Sequence, residues 1–207
     1  FQPPQLLASG DFGGTINIWN IYSGDRRASI QIKDCGDGDL WDMSVEEIRF
    51  VRGRLPGGGL SQLVRPGEPL GIVMTGGDGS IRLFDVTKMP EWEEILTMDV
   101  ASGSLESVCC LAMDENQTRL VSGDTAGHVR VWDISELNIA EPEKISSNDF
   151  KEIAFWRAHA EAVTSVSVVP PDPELERGSL SFVVTGSNDS TLSLWTIQGK
   201  FIGRVGK

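Results

Sequence analysis

The chain has 207 residues, 40% of them hydrophobic and 23% charged, enough for one large domain or two small ones around a buried core and too balanced for global disorder. With 30 acidic against 18 basic residues the net charge is −12, and an acidic surface repels phosphate backbones, which excludes nucleic acid from the expected partners. No stretch approaches the roughly 20 apolar residues that a membrane-crossing helix needs, so no membrane is expected among them either.

The sequence starts at Phe1 with no visible signal segment, and it is expected to be a piece of a longer polypeptide. Its cysteines, Cys35, Cys109 and Cys110, are odd in number and lack framework or metal-ligand spacing. Cys109 and Cys110 would point to opposite faces of a strand. Reduced, inert thiols and a cytoplasmic setting are the expectation.

Four segments read alike in chain order: LLASGDFGGTINIWNI (6–21), GIVMTGGDGSIRLFDV (71–86), RLVSGDTAGHVRVWDI (119–134) and FVVTGSNDSTLSLWTI (182–197). Each is an apolar run, Ser/Thr-Gly, a polar turn, then alternating apolar residues that close on an aromatic: Trp19, Phe84, Trp132 and Trp195. Apolar residues flanking a turn rich in Gly, Asp and Asn predict a β-hairpin. The alternation through Ile16–Trp19 and Val129–Trp132 fits the two-residue period of a strand.

On these four hairpins the chain resembles the WD-repeat family over nearly its whole length. The resemblance implies an all-β fold, a β-propeller of about four four-stranded antiparallel blades with strands a to d from centre to rim. The blades fall at about 1–32, 45–99, 107–156 and 163–206. Their strands are expected at 5–9, 15–20 and 26–32; at 45–51, 70–75, 80–86 and 93–99; at 107–113, 119–123, 128–134 and 151–156; and at 163–169, 181–186, 191–197 and 200–205. The first blade lacks its inner strand, because too few residues precede Leu6. An open arc would leave sheet faces and an edge in water. The chain is therefore expected to be part of a larger propeller, its remaining blades supplied by the parent chain or by another chain.

The family resemblance also implies a buried structural tetrad, matched residue by residue in the last blade by His159, Thr185, Asp189 and Trp195, a hydrogen-bond chain locking the d–a loop to the b–c turn. A catalytic reading of this set fails on chemistry, because no oxyanion hole or nucleophile turn accompanies it. No enzyme activity and no cofactor is expected. The other blades depart from the pattern, with Gly13 and Ala126 at the Asp position, Asp78 displaced in a shorter turn, and His128 opening a strand as a surface turn residue.

Asp34–Asp42 imitates a calcium loop but lacks the alternating ligands and closing Glu, and Gly57–Gly59 lacks the Gly-Lys-Ser/Thr of a phosphate loop. Three insertions, 52–69, 135–150 and 170–180, emerge on one side of the arc, as a binding face would. The first carries Arg52, Arg54 and Arg65, the second is acidic, and a mixed face suits a protein partner. On the opposite face, Glu161 and Asn188 near the central opening are candidate contacts for a bound peptide. The expected function is a non-catalytic protein-binding scaffold. The alternative is a peptide receptor or substrate adaptor, of a ubiquitin ligase or reading modified tails, using the central opening. The closing pattern Leu194-Trp195-Thr196, Gly199, Ile202-Gly203, Gly206 is similar to that of WD-repeat proteins of cilia and flagella that carry an EF-hand region, which implies a cytoskeletal, axonemal setting.

Overall fold

A computed structural model describes residues 6–32, 43–53, 69–100, 103, 106–170 and 181–205. The stretches 33–42, 54–68 and 171–180 lie outside the described residues, and with them Cys35, Arg54, Arg65, the Asp34–Asp42 stretch and Gly57–Gly59.

Among the described residues, fifteen strands form four antiparallel sheets. Blade one has three, β1 (Leu6–Gly10), β2 (Thr15–Asn20) and β3 (Arg26–Gln31). Blade two has β4 (Val45–Arg52), β5 (Leu70–Gly76), β6 (Ser80–Asp85) and β7 (Glu93–Asp99). Blade three has β8 (Val108–Met113), β9 (Arg119–Asp124), β10 (His128–Asp133) and β11 (Lys151–Arg157). Blade four has β12 (Val163–Val169), β13 (Phe182–Ser187), β14 (Leu192–Thr196) and β15 (Phe201–Val205). Each sheet is a meander in sequence order, and β4, β8 and β12 are inner strands, with β4 against β8 and β8 against β12. This is the all-β, blade-built architecture of a propeller.

The hairpin turns explain why these segments pair. Gly14, Gly79 and Gly127 adopt φ of 81°, 78° and 87° in the turns before β2, β6 and β10, a region open to glycine because it has no Cβ. At Gly127 a Cβ would also meet the His159 carbonyl oxygen at 2.4 Å, so this turn and the loop before β12 close on each other. Blade four uses Ser190, at φ 64°, in its corresponding turn.

Sheets stack face to face, and each of the three interfaces is a core. Ile16, Ile18 and Ile30 meet Ile72, Met74 and Phe84 between blades one and two. Val73, Ile81 and Leu83 meet Leu111, Leu120 and Trp132 between two and three. Val121, Val129 and Val131 meet Val163, Val183 and Trp195 between three and four. Each such aliphatic side chain stabilises the stack by ~1.5–3 kcal/mol when fully buried.

Segment 135–150 departs from the expected solvent-facing loop. It folds into two single-turn 3-10 helices, Pro142–Lys144 and Ser147–Asp149, the second closed by a capping box between Ser146 and Asp149. Leu137, Ile139 and Phe150 turn inward and are 5%, 1% and 6% exposed in the core between blades two and three. Apolar burial thus outweighs the acidic character of the segment, which keeps its charges on the outer side.

Candidate functional site

The polar centre of blade four starts from the loop before β12. His159 is 3% exposed and Thr185 0%. His159 Nε2 lies 2.7 Å from Thr185 Oγ1, and Nδ1 lies 3.0 Å from Asp189 Oδ2. Trp195 Nε1 donates to Thr185 Oγ1 at 2.9 Å. With the ring proton on Nδ1, directed at the carboxylate, Thr185 accepts from Trp195 and donates to Nε2, so both ring nitrogens of His159 and the Trp195 indole N–H are satisfied. Asp189 also accepts from the Thr191 hydroxyl at 2.6 Å, and from the backbone N–H of Thr191 and Ala160. The Thr191 hydroxyl, the His159 ring and these N–H groups hold the Asp189 carboxyl well below the usual carboxylate range. The network joins the inner-strand loop, the β13–β14 turn and β14. The Thr185 hydroxyl is sealed from solvent, so its chemistry is structural, not nucleophilic.

The equivalent positions in the other blades hold different chemistry. In blade one Trp19 Nε1 donates to Ser9 Oγ at 3.0 Å. In blade two Phe84 replaces the indole and packs edge-on against Trp92 at 5.8 Å; Thr75 Oγ1 is then buried with no hydrogen-bond partner among the described residues. Trp132 of blade three is 3% exposed in the core. Turns are held locally in blades one and three: Asp11 Oδ1 accepts from the backbone N–H of Gly13 and Thr15, and Asp124 Oδ1 from those of Ala126 and His128. In blade two Asp78 bonds Ser80 and pairs with Arg82. Burial raises the Asp78 pKa, but hydrogen bonds from Arg82 and Ser80 outweigh it and the carboxyl stays below its ordinary range.

Of the candidate contact residues, Glu161 and Asn188 are exposed and share one corner. Ser187 Oγ donates to the Glu161 carbonyl at 3.2 Å and Asn188 N to that of Ala162 at 3.1 Å. Arg52 ends β4, half-buried, its N–H donating to Gln117 Oε1 at 3.0 Å. The structure does not bring it to the Glu161–Asn188 corner. Cys109 and Cys110 are free. Burial, with the nearby carboxylates of Glu46 and Asp124, pushes the Cys109 thiol up to about 11. Burial pushes Cys110 to about 12, so neither is a thiolate at neutral pH.

Among the described residues, no sheet covers the outer face of blade four. Paired neighbours across the sheet place Val169, Phe182, Val184, Gly186, Leu192, Leu194, Gly203 and Val205 on that face. Leu192 is 43% and Val205 71% exposed, whereas Val129, at the position of Leu192 one blade earlier, is 0% exposed beneath blade four. A Cβ built on Gly10 would meet Val45 Cγ1 at 2.4 Å, and one on Gly123 would meet Val163 Cγ1 at 2.6 Å. Each glycine thus seats the first side chain of the next blade's inner strand. At Gly186, the same position in blade four, a Cβ would meet nothing nearer than Ser165 Cβ at 3.8 Å.

Sequence comparison bears on the same strands. The sequence model described as WD domain, G-beta repeat matches residues 95–133 and 150–196, which run from β7 to β10 and from β11 to β14. No match to the chain was found among curated proteins. With four blade-like sheets stacked in order, the two repeat matches support the WD-repeat family for this chain.

Proposed function

We infer that the chain is an arc of a protein-binding scaffold whose ring is completed by further WD-repeat blades of the parent protein. WD repeats indicate a protein–protein interaction scaffold in general. The finer reading rests on the open face of blade four: a largely apolar sheet surface on the side away from the filled interface with blade three, carrying at Gly186 the same seat that receives Val45 and Val163 elsewhere. A β-sheet face of this kind in water drives association. The setting we favour is the cytoplasm, and within it the axoneme, on the closing pattern around Trp195 and Gly199. Localisation of a tagged parent protein away from cilia in ciliated cells would remove that part of the reading.

Light scattering and dye binding test the arc. The 207-residue chain is expected to self-associate or bind an apolar dye, and Leu192→Asp with Val205→Asp to abolish both without lowering Tm. A monomer that binds no dye refutes the reading.

A peptide-receptor or substrate-adaptor role is favoured by one observation. A cleft of about 410 Å³ runs between β1 and β4, lined by Leu6, Ala8, Val45, Ile48 and Phe50 together with the charged Glu46, Glu47 and Arg49, beside the edge of β1, which pairs only with β2 among the described strands. An extended peptide adding to that edge would meet apolar side chains on one side.

A further inference from the structure

Blade three carries a second polar cluster at the end of the sheet where the β9–β10 turn lies. Asp124 ends β9, His128 opens β10 and Glu106 stands just before β8. One ligand atom from each lies within 4.8 Å of those of the other two. Asp124 is 6% exposed, and Glu106 and His128 are half-buried.

Contacts from outside the cluster also help to position these side chains. Two backbone N–H groups hold Asp124 Oδ1, at 3.0 and 2.8 Å, which aims Oδ2 at the imidazole, 3.5 Å from Nδ1. Phe155 stacks on His128 with centroids 5.2 Å apart and fixes the ring plane. Glu106 is brought in through Ser107: Thr125 N donates to Ser107 O at 3.0 Å, Ser107 N to Thr125 Oγ1 at 3.1 Å, and Ser107 Oγ to the Gly77 carbonyl of blade two at 2.6 Å. Three segments therefore deliver three donors to one point.

The Asp124–His128 spacing fits an ion pair and also fits two ligands of one cation. A separation of 3.5 Å exceeds the roughly 2.7–3.2 Å of an N–H···O hydrogen bond. It lies close to the edge of about 3.3–3.4 Å between two ligands of a tetrahedral cation bound at about 2.0–2.1 Å. One imidazole and two carboxylates suit zinc and its first-row neighbours, and three protein ligands leave a fourth position for water. We propose that Glu106, Asp124 and His128 form a binding site for one divalent first-row cation, zinc foremost, which pins the segment before β8 to the β9–β10 turn. The ion joins in blade three the same kind of segments, the inner-strand loop and the b–c turn, that the His159–Asp189 bond joins in blade four.

The chain, stripped of metal with a chelator, is titrated with Zn²⁺ by calorimetry. One ion per chain and a raised Tm are expected. Glu106→Gln and His128→Gln each weaken binding at least about tenfold, the smallest loss typical of disturbing a metal ligand's support, with Tm in chelator close to that of the parent. In the unaltered chain, Co²⁺ shifts and broadens the ring proton signals of His128 and spares those of His159, the chain's other histidine. The proposal is overturned by no Zn²⁺ binding tighter than about 1 mM, by affinity unchanged in both variants, or by Co²⁺ leaving the His128 signals in place.

Discussion

Replacing Gly123 and Gly186 by alanine, one at a time, tests the stacking directly. The two glycines occupy the same position in successive blades, each following the buried hydroxyl residue of its strand, Ser122 or Thr185. At Gly123 the new methyl would lie 2.6 Å from Val163 Cγ1, 2.7 Å from Val163 Cβ and 2.9 Å from Cys110 Sγ. Carbon pairs prefer about 3.5–4.0 Å, so β12 would have to retreat by close to an ångström, and Val163 is fully buried with no space to yield. Overpacking of that kind costs about 1–3 kcal/mol. For a domain of this size each kcal/mol lowers Tm by roughly 2–4 °C, so a drop of roughly 4–8 °C is expected near the middle of that range. At Gly186 the methyl makes one ordinary contact, 3.8 Å to Ser165 Cβ, and the loss of glycine's freedom in the unfolded chain stabilises by about 0.4–1 kcal/mol. Thermal melts by circular dichroism, with light scattering to confirm equal association, read both. An equal fall in Tm at both positions, or none at Gly123, would refute the assignment of Gly186 to an uncovered face.

Threonine to valine should act with opposite sign in two blades. Thr185→Val strands the buried His159 Nε2 and Trp195 Nε1, at ~1–3 kcal/mol for each orphaned group, whereas Thr75→Val removes a hydroxyl that is buried without a hydrogen-bond partner among the described residues and should raise stability by up to about 1 kcal/mol; equal effects in urea melts would break the contrast. Asp189 has a lowered folded pKa, so its contribution is complete above the unfolded carboxylate value of about 3.9 and is lost as pH falls through the folded value. The stability gap between the parent chain and Asp189→Asn, measured by urea melts, is accordingly expected to be constant from pH 7 to 5 and to narrow below about pH 4; a gap independent of pH would mean the carboxylate charge contributes nothing. Gly199, at φ 81° with a built Cβ 2.6 Å from Trp156 Cε3, should tolerate no side chain: Gly199→Ala is expected to lower Tm and change the near-ultraviolet signal of Trp156, and a melt within experimental error of the parent's would remove the turn from the packing of blades three and four.

The hairpins could be read from the sequence because each is written locally. Gly14, Gly79 and Gly127 mark left-handed turn positions, and the flanking alternation leaves one way to bury Ile16, Ile18, Val129 and Val131. Segment 135–150 could not be read this way. Leu137, Ile139 and Phe150 have no strand or helix period, and their burial depends on a core formed by two other blades. The turn positions of blades one and three look like losses when only Gly13 and Ala126 are compared with Asp189. The carboxylate is present two residues earlier, as Asp11 and Asp124, and the repeated Ser-Gly-Asp in SGDFG and SGDTA is the signal for it. Glu106 gave no signal at all, since 18 residues separate it from Asp124 and only the pairing of β8 with β9 joins them. Two ways of holding the same turn emerge from this comparison. A local carboxylate accepting from the second and fourth following N–H groups suffices in blades one and three. Blade four keeps local caps, Asp189 N–H to Ser187 Oγ and Thr191 N–H to Asp189 Oδ1, and adds a reach across 30 residues to His159. A local cap orders only its own hairpin, whereas the His159 chain also fixes the inner-strand loop against the sheet.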